Sequence, residues 1–101
     1  MKIDIKNENG TAIAKLSGEI DHHNATELRA ELDRFIVTAQ PQELAIDFGG
    51  ITFMDSSGIG LIMGRSKLLK ECGGRLEVIN PQPYIKRVMK LSGIDTVVKI
   101  R

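Results

Sequence analysis

Apolar and charged residues alternate at the start of the chain, which is the pattern of a half-buried β-strand. Ile3 and Ile5 are its apolar members. Asn9-Gly10 follows, a dipeptide that favours a two-residue hairpin turn. Thr11 to Leu16 then predicts a second strand, antiparallel to the first, which Ser17-Gly18 ends. The chain is therefore predicted to open with a β-hairpin.

Helical periodicity replaces this alternation after residue 24. Asn24 and Glu27 have the spacing of a capping box in which Asn24 is the cap. The apolar residues behind them recur at steps of three and four until Pro41 stops the pattern. They are Leu28, Leu32, Phe35, Ile36 and Ala39. This pattern predicts an amphipathic helix that covers a sheet.

The stretch from residue 44 to residue 65 is the organising part of the chain. Leu44 to Phe48 has the length of a buried strand, and we expect Gly49-Gly50 to break it before Ile51 to Met54. Asp55-Ser56-Ser57 comes next, and all three residues are good N-caps for the helix that follows. The spacing predicts that this helix turns Ile59, Ile62, Met63 and Ser66 inward and ends at Gly73-Gly74.

One more strand and helix complete the pattern. Arg75 to Ile79 predicts a short strand, and Pro83 suits the first position of a helix that Gly93 ends. The inner stripe of that helix is predicted to be Ile85, Val88, Met89 and Ser92. Thr96 to Ile100 is a short apolar run that predicts an edge strand.

The predicted element order is ββαβαβα followed by a short strand. Strands that alternate with helices need crossover connections, so part of the sheet must be parallel. We therefore predict a single α/β domain over residues 1–101. Its mixed sheet has four to five strands, with helices mainly on one face.

Composition excludes several classes of function. The 101 residues are 42% hydrophobic and 27% charged, with a formal net charge of +1, so no strong field favours nucleic acid or an anionic membrane. The single cysteine, Cys72, cannot form an internal disulfide. A run of about 18 apolar residues, which a membrane span needs, is missing, as is a signal-peptide core. We expect a cytoplasmic protein without a membrane span.

Asp55-Ser56-Ser57 is the strongest candidate for a functional site. A helix start offers unpaired N–H groups and a partial positive charge, so a hydroxyl there is well placed to carry a phosphate. A plain helix cap is the alternative interpretation. Three candidate caps stand together, however, and Gly58 and Gly60 behind them cost helix stability, which suggests close approach by another segment or by a partner. The residues alone do not choose between Ser56 and Ser57.

Nucleotide binding, metal binding and hydrolysis have weaker support in the sequence. The glycines at 58, 60 and 64 miss the dinucleotide fingerprint by one residue, and neither a Walker motif nor a CxxC or HExxH motif is present. His22-His23 is a poor metal pair, since adjacent side chains point in different directions. A minimal serine hydrolase that uses Ser56 or Ser57 lacks the GxSxG elbow. Two classes remain: a binding module with a modifiable serine, and, less favoured, such a hydrolase.

Two motifs in register identify the chain as similar to a known family. Residues 53–60, FMDSSGIG, resemble the phosphorylation motif of the anti-sigma factor antagonists, which are bacterial STAS domains. Residues 18–25, GEIDHHNA, resemble the second signature of that family, and the His-His variant is closest to its sporulation branch. The resemblance covers nearly the whole chain. It implies a mixed sheet with flanking helices, which agrees with the order above.

The resemblance also implies a mechanism. It makes Ser57 the phosphoacceptor and places Asp55 and Asp21 at the surface that meets the partner. The full partner-binding set that we expect is Asp21, His23, Asp55, Ser56, Ser57, Gly58 and Ile59. The chain itself is not expected to be an enzyme.

The implied partner is an anti-sigma factor that is also a serine kinase. ATP and magnesium belong to that kinase, so we expect no cofactor in this chain. The unphosphorylated form binds the kinase and frees the sigma factor, phosphorylation ends binding, and a serine phosphatase restores it. An alternative is a STAS module of another assembly, such as a stress-signalling switch or a lipid-transport accessory subunit. Many family members carry a further C-terminal helix beyond the position of Arg101.

Overall fold

A computed structural model describes all residues from Met1 to Arg101. It contains five strands, three α-helices and one 3-10 turn at Ile94–Thr96. The strands are β1 (Lys2–Glu8), β2 (Thr11–Ile20), β3 (Glu43–Met54), β4 (Arg75–Ile79) and β5 (Lys99–Ile100). The helices are α1 (Ala25–Ala39), α2 (Ser56–Glu71) and α3 (Pro83–Ser92). None of the helices is long and apolar enough to span a membrane.

The five strands form one mixed sheet in the order in which they occur along the chain. β1 pairs with β2 antiparallel, and all the other pairs are parallel. One row of paired residues crosses the whole sheet, through Ile5, Ala14, Ile46, Val78 and Ile100. Each crossover steps in the same direction, and right-handed crossovers of this kind place all three helices on one face. The prediction of a mixed sheet of four to five strands, with helices mainly on one face, is confirmed.

The core lies between that face and the helices. The side chains of Ala12, Ala14 and Leu16 on β2 are fully buried there, whereas Ile13 between them remains 44% exposed. On the central strand β3, Leu44, Ile46 and Phe48 face the same core and are fully buried. The opposite face of the sheet is open to solvent over a shallow depression lined by Asp4, Lys6, Ile13, Lys15, Asp47 and Ile79.

The glycine pair in the middle of β3 does not break the strand, contrary to our prediction. β3 continues from Glu43 to Met54, and β2 also extends past Ser17-Gly18 to Ile20. A Cβ at Gly50 would lie 2.7 Å from the carbonyl oxygen of Leu16, so glycine is what lets β2 and β3 approach here. The register between the two strands shifts at the same place, which marks a bulge rather than an end.

Two further predictions need correction. Met63, predicted to face inward, is 49% exposed. Successive helical residues are about 100° apart, and the buried face of α2 extends from Ile62 toward Leu61, which leaves Met63 on the other side. The predicted last strand is shorter than its apolar run: Thr96 belongs to the 3-10 turn, Val97 and Val98 are in no strand, and only Lys99–Ile100 pair with β4. Gly93, with a φ of 83°, ends α3 as predicted.

Candidate functional site

The site forms where β2 and β3 end beside each other. Ile20 pairs with Met54, and the N–H of Asp55 donates to the carbonyl oxygen of Ile20 at 3.1 Å. Because the carboxyl ends of parallel strands meet at one edge of a sheet, the segment 21–24 that precedes α1 lies against the start of α2. Two motifs more than thirty residues apart in the sequence therefore share one surface.

Asp55 is the N-cap of α2. Its Oδ1 accepts a hydrogen bond from the N–H of Ser57 at 2.8 Å, and its carbonyl oxygen accepts one from the N–H of Gly58. The pKa of Asp55 is lowered below its ordinary value, mainly by the hydrogen bond from the Ser57 N–H. Desolvation acts in the opposite direction and raises this pKa, whereas the Ser57 hydroxyl and His22 lower it further. Of the three candidate caps in the sequence, the acid takes this role, so neither serine side chain is needed as the cap.

The two serines differ in their surroundings. Ser56 is exposed, whereas Ser57 is half-buried and lines a groove between α1 and α2. Gly58 is buried behind them, and a Cβ there would collide with the side chain of Met54. The close approach expected at Gly58 is therefore confirmed and comes from within the fold. Around Gly60 a Cβ would meet no atom within 4 Å, so the fold itself does not require that glycine.

The segment before α1 is held by a reciprocal pair of side chains. Oδ1 of Asp21 accepts from the N–H groups of His23 at 3.0 Å and Asn24 at 3.1 Å. Oδ1 of Asn24 accepts from the N–H of Asp21 at 3.1 Å, and its Nδ2 donates to the carbonyl oxygen of Glu19 at 2.6 Å. The predicted capping box of Asn24 and Glu27 is wrong, because the Asn24 side chain bonds backward into the turn and makes no bond to the helix.

The histidines cover the junction of the two motifs. The rings of His22 and His23 lie 4.2 Å apart between centroids, and Nδ1 of His22 lies 4.0 Å from Oδ2 of Asp55. Both side chains are exposed. No three His, Cys, Asp or Glu residues come together in a geometry that could hold a metal ion.

The structure gathers all the site residues expected from the sequence into two neighbouring segments. Asp21 and His23 belong to the first, and Asp55, Ser56, Ser57, Gly58 and Ile59 belong to the second. Ile59 is half-buried against the core, so only part of its side chain is available to a partner. Gly58 is buried, so its expected direct contact with a partner is not available. We call these seven residues the switch surface.

Two arginines that the sequence pattern did not indicate line the groove beside Ser57, Arg29 on α1 and Arg65 on α2. Nε of Arg65 lies 2.7 Å from Oδ1 of Asp33, and this ion pair joins the two helices. A signal was available, because position 65 falls on the inner arc of α2, where an arginine among apolar residues is unusual.

Comparisons with known proteins agree on the family. The model of the STAS domain family matches residues 2–101. An anti-sigma F factor antagonist of Paenibacillus polymyxa is 34% identical over 100 residues, which cover 99% of this chain and 86% of that protein. Another, from Lysinibacillus sphaericus, is 36% identical over 84 residues, which cover 83% of this chain and 72% of that protein.

Solved structures lead to the same family. The anti-sigma factor antagonist SpoIIAA in its unphosphorylated form matches with a TM-score of 0.84 and 30% identity, over 99% of this chain and 88% of that one. SpoIIAA of Bacillus in the phosphorylated form matches with a TM-score of 0.75 and 30% identity, over 99% of this chain and 91% of that one. This chain belongs to the STAS domain family, among the anti-sigma factor antagonists.

Proposed function

We propose that this protein is a partner switch controlled by phosphate on Ser57. Its unphosphorylated form binds an anti-sigma factor and releases the sigma factor, and the phosphorylated form does not bind. The observation that carries the proposal is the position of Ser57. This residue lies in the first turn of α2 beside the acidic cap Asp55, half-buried at the mouth of a groove. The chain is also similar to a protein whose structure is solved in the unphosphorylated and the phosphorylated form.

The fold can carry the added charge without rearrangement. Phosphoserine brings about −1.5 to −2 charges, and a helix N-terminus stabilises negative charge by up to about 2 kcal/mol. Repulsion from Asp55 opposes this effect, but both residues are only half-buried, so water screens part of the repulsion. We therefore expect phosphorylation to leave the fold as it is.

At a contact with the partner the same charge has the opposite effect. An interface that fits a small neutral hydroxyl must desolvate a dianion next to Asp55, and burying an unpaired charge costs several kcal/mol. Each 1.4 kcal/mol changes the affinity tenfold. Release therefore follows from local desolvation and repulsion, and a change of fold is not needed.

The other residues of the switch surface have supporting roles. Asp55 fixes the first turn of α2 through the N–H of Ser57, and Asp21 fixes the preceding segment through the N–H groups of His23 and Asn24. We assign partner contact to the exposed parts of Asp21, His23, Ser56 and Ile59. Gly58 keeps the helix start close to Met54, which brings Ser57 to its position.

We assign the catalysis of phosphate transfer to the partners. The anti-sigma factor acts as the serine kinase and brings ATP and magnesium, and a separate serine phosphatase removes the phosphate. This chain then needs no cofactor and turns over no substrate. Hydrolysis of an ester or phosphoester by the purified protein, if it disappears in Ser57→Ala, would contradict this assignment.

The deciding experiment is mass spectrometry of the protein after incubation with the anti-sigma factor of the same organism and ATP. We expect one phosphate on Ser57 in the wild type and in Ser56→Ala, and none in Ser57→Ala. Ser57→Ala should still bind the kinase, because the contact with the hydroxyl is only a small part of the interface. Phosphate on Ser56, or on neither serine, contradicts the proposal.

Ser57→Asp separates the effect on binding from an effect on folding. Its carboxylate imitates part of the phosphate charge at the helix start. We expect it to bind the anti-sigma factor at least about tenfold more weakly, a change of about 1.4 kcal/mol. The melting temperature should stay within a few degrees of the wild type. Unfolding of Ser57→Asp would show that the switch acts through the fold and not through the contact.

A further inference from the structure

A groove runs between α1 and α2 from the switch surface toward the middle of the two helices. Its volume is about 450 Å³. Ser57, Gly60 and Gly64 line it on the side of α2, Thr26 and Arg29 line it on the side of α1, and Arg65 lines its far end. None of the residues that line the groove is acidic.

The guanidinium group of Arg65 is only partly paired within the protein. Its side chain is only 10% exposed, and Nε lies 2.7 Å from Oδ1 of Asp33. Nη1 is buried and has no acceptor in the protein. Burial lowers the pKa of Arg65, the carboxylate of Asp33 opposes that effect, and the nearby positive charge of Arg29 adds to it. Arg29 and Arg65 both line the groove and no acidic side chain does, which leaves an excess of positive charge there.

The glycines on the α2 side leave the groove open. A Cβ at Gly60 or Gly64 would meet no atom within 4 Å, and neither residue has a positive φ. Glycine in the interior of a helix is less favourable than every other residue except proline. Neither packing nor backbone geometry requires glycine here, and glycine at both positions leaves room for another backbone to come close to α2.

The length of the groove indicates an extended occupant. Ser57 and Arg65 are eight residues apart, which is about 12 Å along a helix. A phosphate on Ser57 reaches the mouth of the groove but does not extend to its far end. An occupant that satisfies Arg65 and also covers the two glycines must therefore be a chain segment that carries an anionic side chain.

We infer that this groove receives an acidic segment of the anti-sigma factor, whose backbone lies over Gly60 and Gly64 and whose carboxylate pairs with Arg65 and Arg29. The inference rests on the proposed function, because the segment belongs to the same partner. It adds a second anchor beside the switch surface. It also adds a reason for release, since a phosphate on Ser57 repels the incoming carboxylate and competes for Arg29.

Two variants test the groove by affinity for the anti-sigma factor. Arg29→Gln removes a charge, and Arg34→Gln is its control, an exposed arginine on the same helix that does not line the groove. Gly64→Leu fills the groove, and Lys67→Leu is its control on the exposed side of α2. We expect both groove variants to bind about tenfold more weakly or worse and both controls to stay within about twofold. The loss in Arg29→Gln should shrink in high salt.

The Nε–H group of Arg65 lies 2.7 Å from Oδ1 of Asp33, and its resonance reports on changes at the far end of the groove. We expect this signal to shift when the unphosphorylated protein binds the anti-sigma factor and not when inorganic phosphate alone is added. A shift with inorganic phosphate would assign the site to a free anion and overturn the inference. Groove variants that fold and bind like the wild type would overturn it too. If the wild type does not bind the anti-sigma factor at all, the proposed function itself fails.

Discussion

At the scale of single residues, Asp55 links the stability of the helix start to pH. Because the folded state lowers its pKa, the ionised carboxylate stabilises the protein at neutral pH, and this contribution is lost as the pH falls below the ordinary value of 3.8. Asp55→Asn keeps an acceptor for the N–H of Ser57 and removes the charge. We expect a lower urea midpoint than the wild type at neutral pH and a difference that fades in acid. A pH-independent difference would contradict this role of the charge.

Gly58 and Gly64 provide a matched pair of glycines in the same helix. Gly58→Ala places a Cβ against Met54, and such overpacking costs about 1–3 kcal/mol. Gly64→Ala meets open space and removes the entropy cost of glycine, so it should stabilise the fold by about 0.5–1 kcal/mol. Urea denaturation of the two variants measures both signs. Equal effects would show that the contact with Met54 does not constrain the helix start.

At the scale of elements, the ion pair of Asp33 and Arg65 fixes α1 against α2. Asp33→Ala leaves the buried guanidinium without its carboxylate; because Asp33 itself is partly exposed, we expect a loss of about 1–3 kcal/mol. Arg65→Met in the same background removes the stranded charge and should recover much of that loss. Urea denaturation of the single and double variants measures the coupling. Strictly additive losses would contradict a direct contact between the two helices through this pair.

At the scale of the whole molecule, the sheet is covered on one face only. Ile13 and Leu16 belong to the same strand, but Ile13 points to the open face and Leu16 to the core. We expect Ile13→Thr to change stability by less than about 0.5 kcal/mol and Leu16→Ala to cost about 2–5 kcal/mol. Thermal and urea unfolding measure both values. A large loss in Ile13→Thr would mean that a further layer covers the open face.

The sequence by itself determined the order and type of the elements, because each depends on local chemistry. Such signals set the conformation of only the few residues around them. Examples are the alternation around Ile3 and Ile5, the turn at Asn9-Gly10 and the glycine after α3. The crossovers that this order requires then limited the sheet to a mixed one with its helices on one face. The candidate site could also be located from sequence, since the small polar residues 55–57 stand before a helical pattern.

What the tertiary structure decided depends on neighbours that are distant in the chain. Gly49-Gly50 reads as a break in the sequence, but in the sheet Gly50 is where the carbonyl of Leu16 comes close, so the strand continues. In the sequence Asp21 is far from Asp55, but the register of β2 and β3 brings its turn against the start of α2. The role of Arg65 depends on α1, which brings Asp33 and Arg29 next to it in the folded protein. Burial and charge pairing across elements are properties of packing, and local patterns do not encode them.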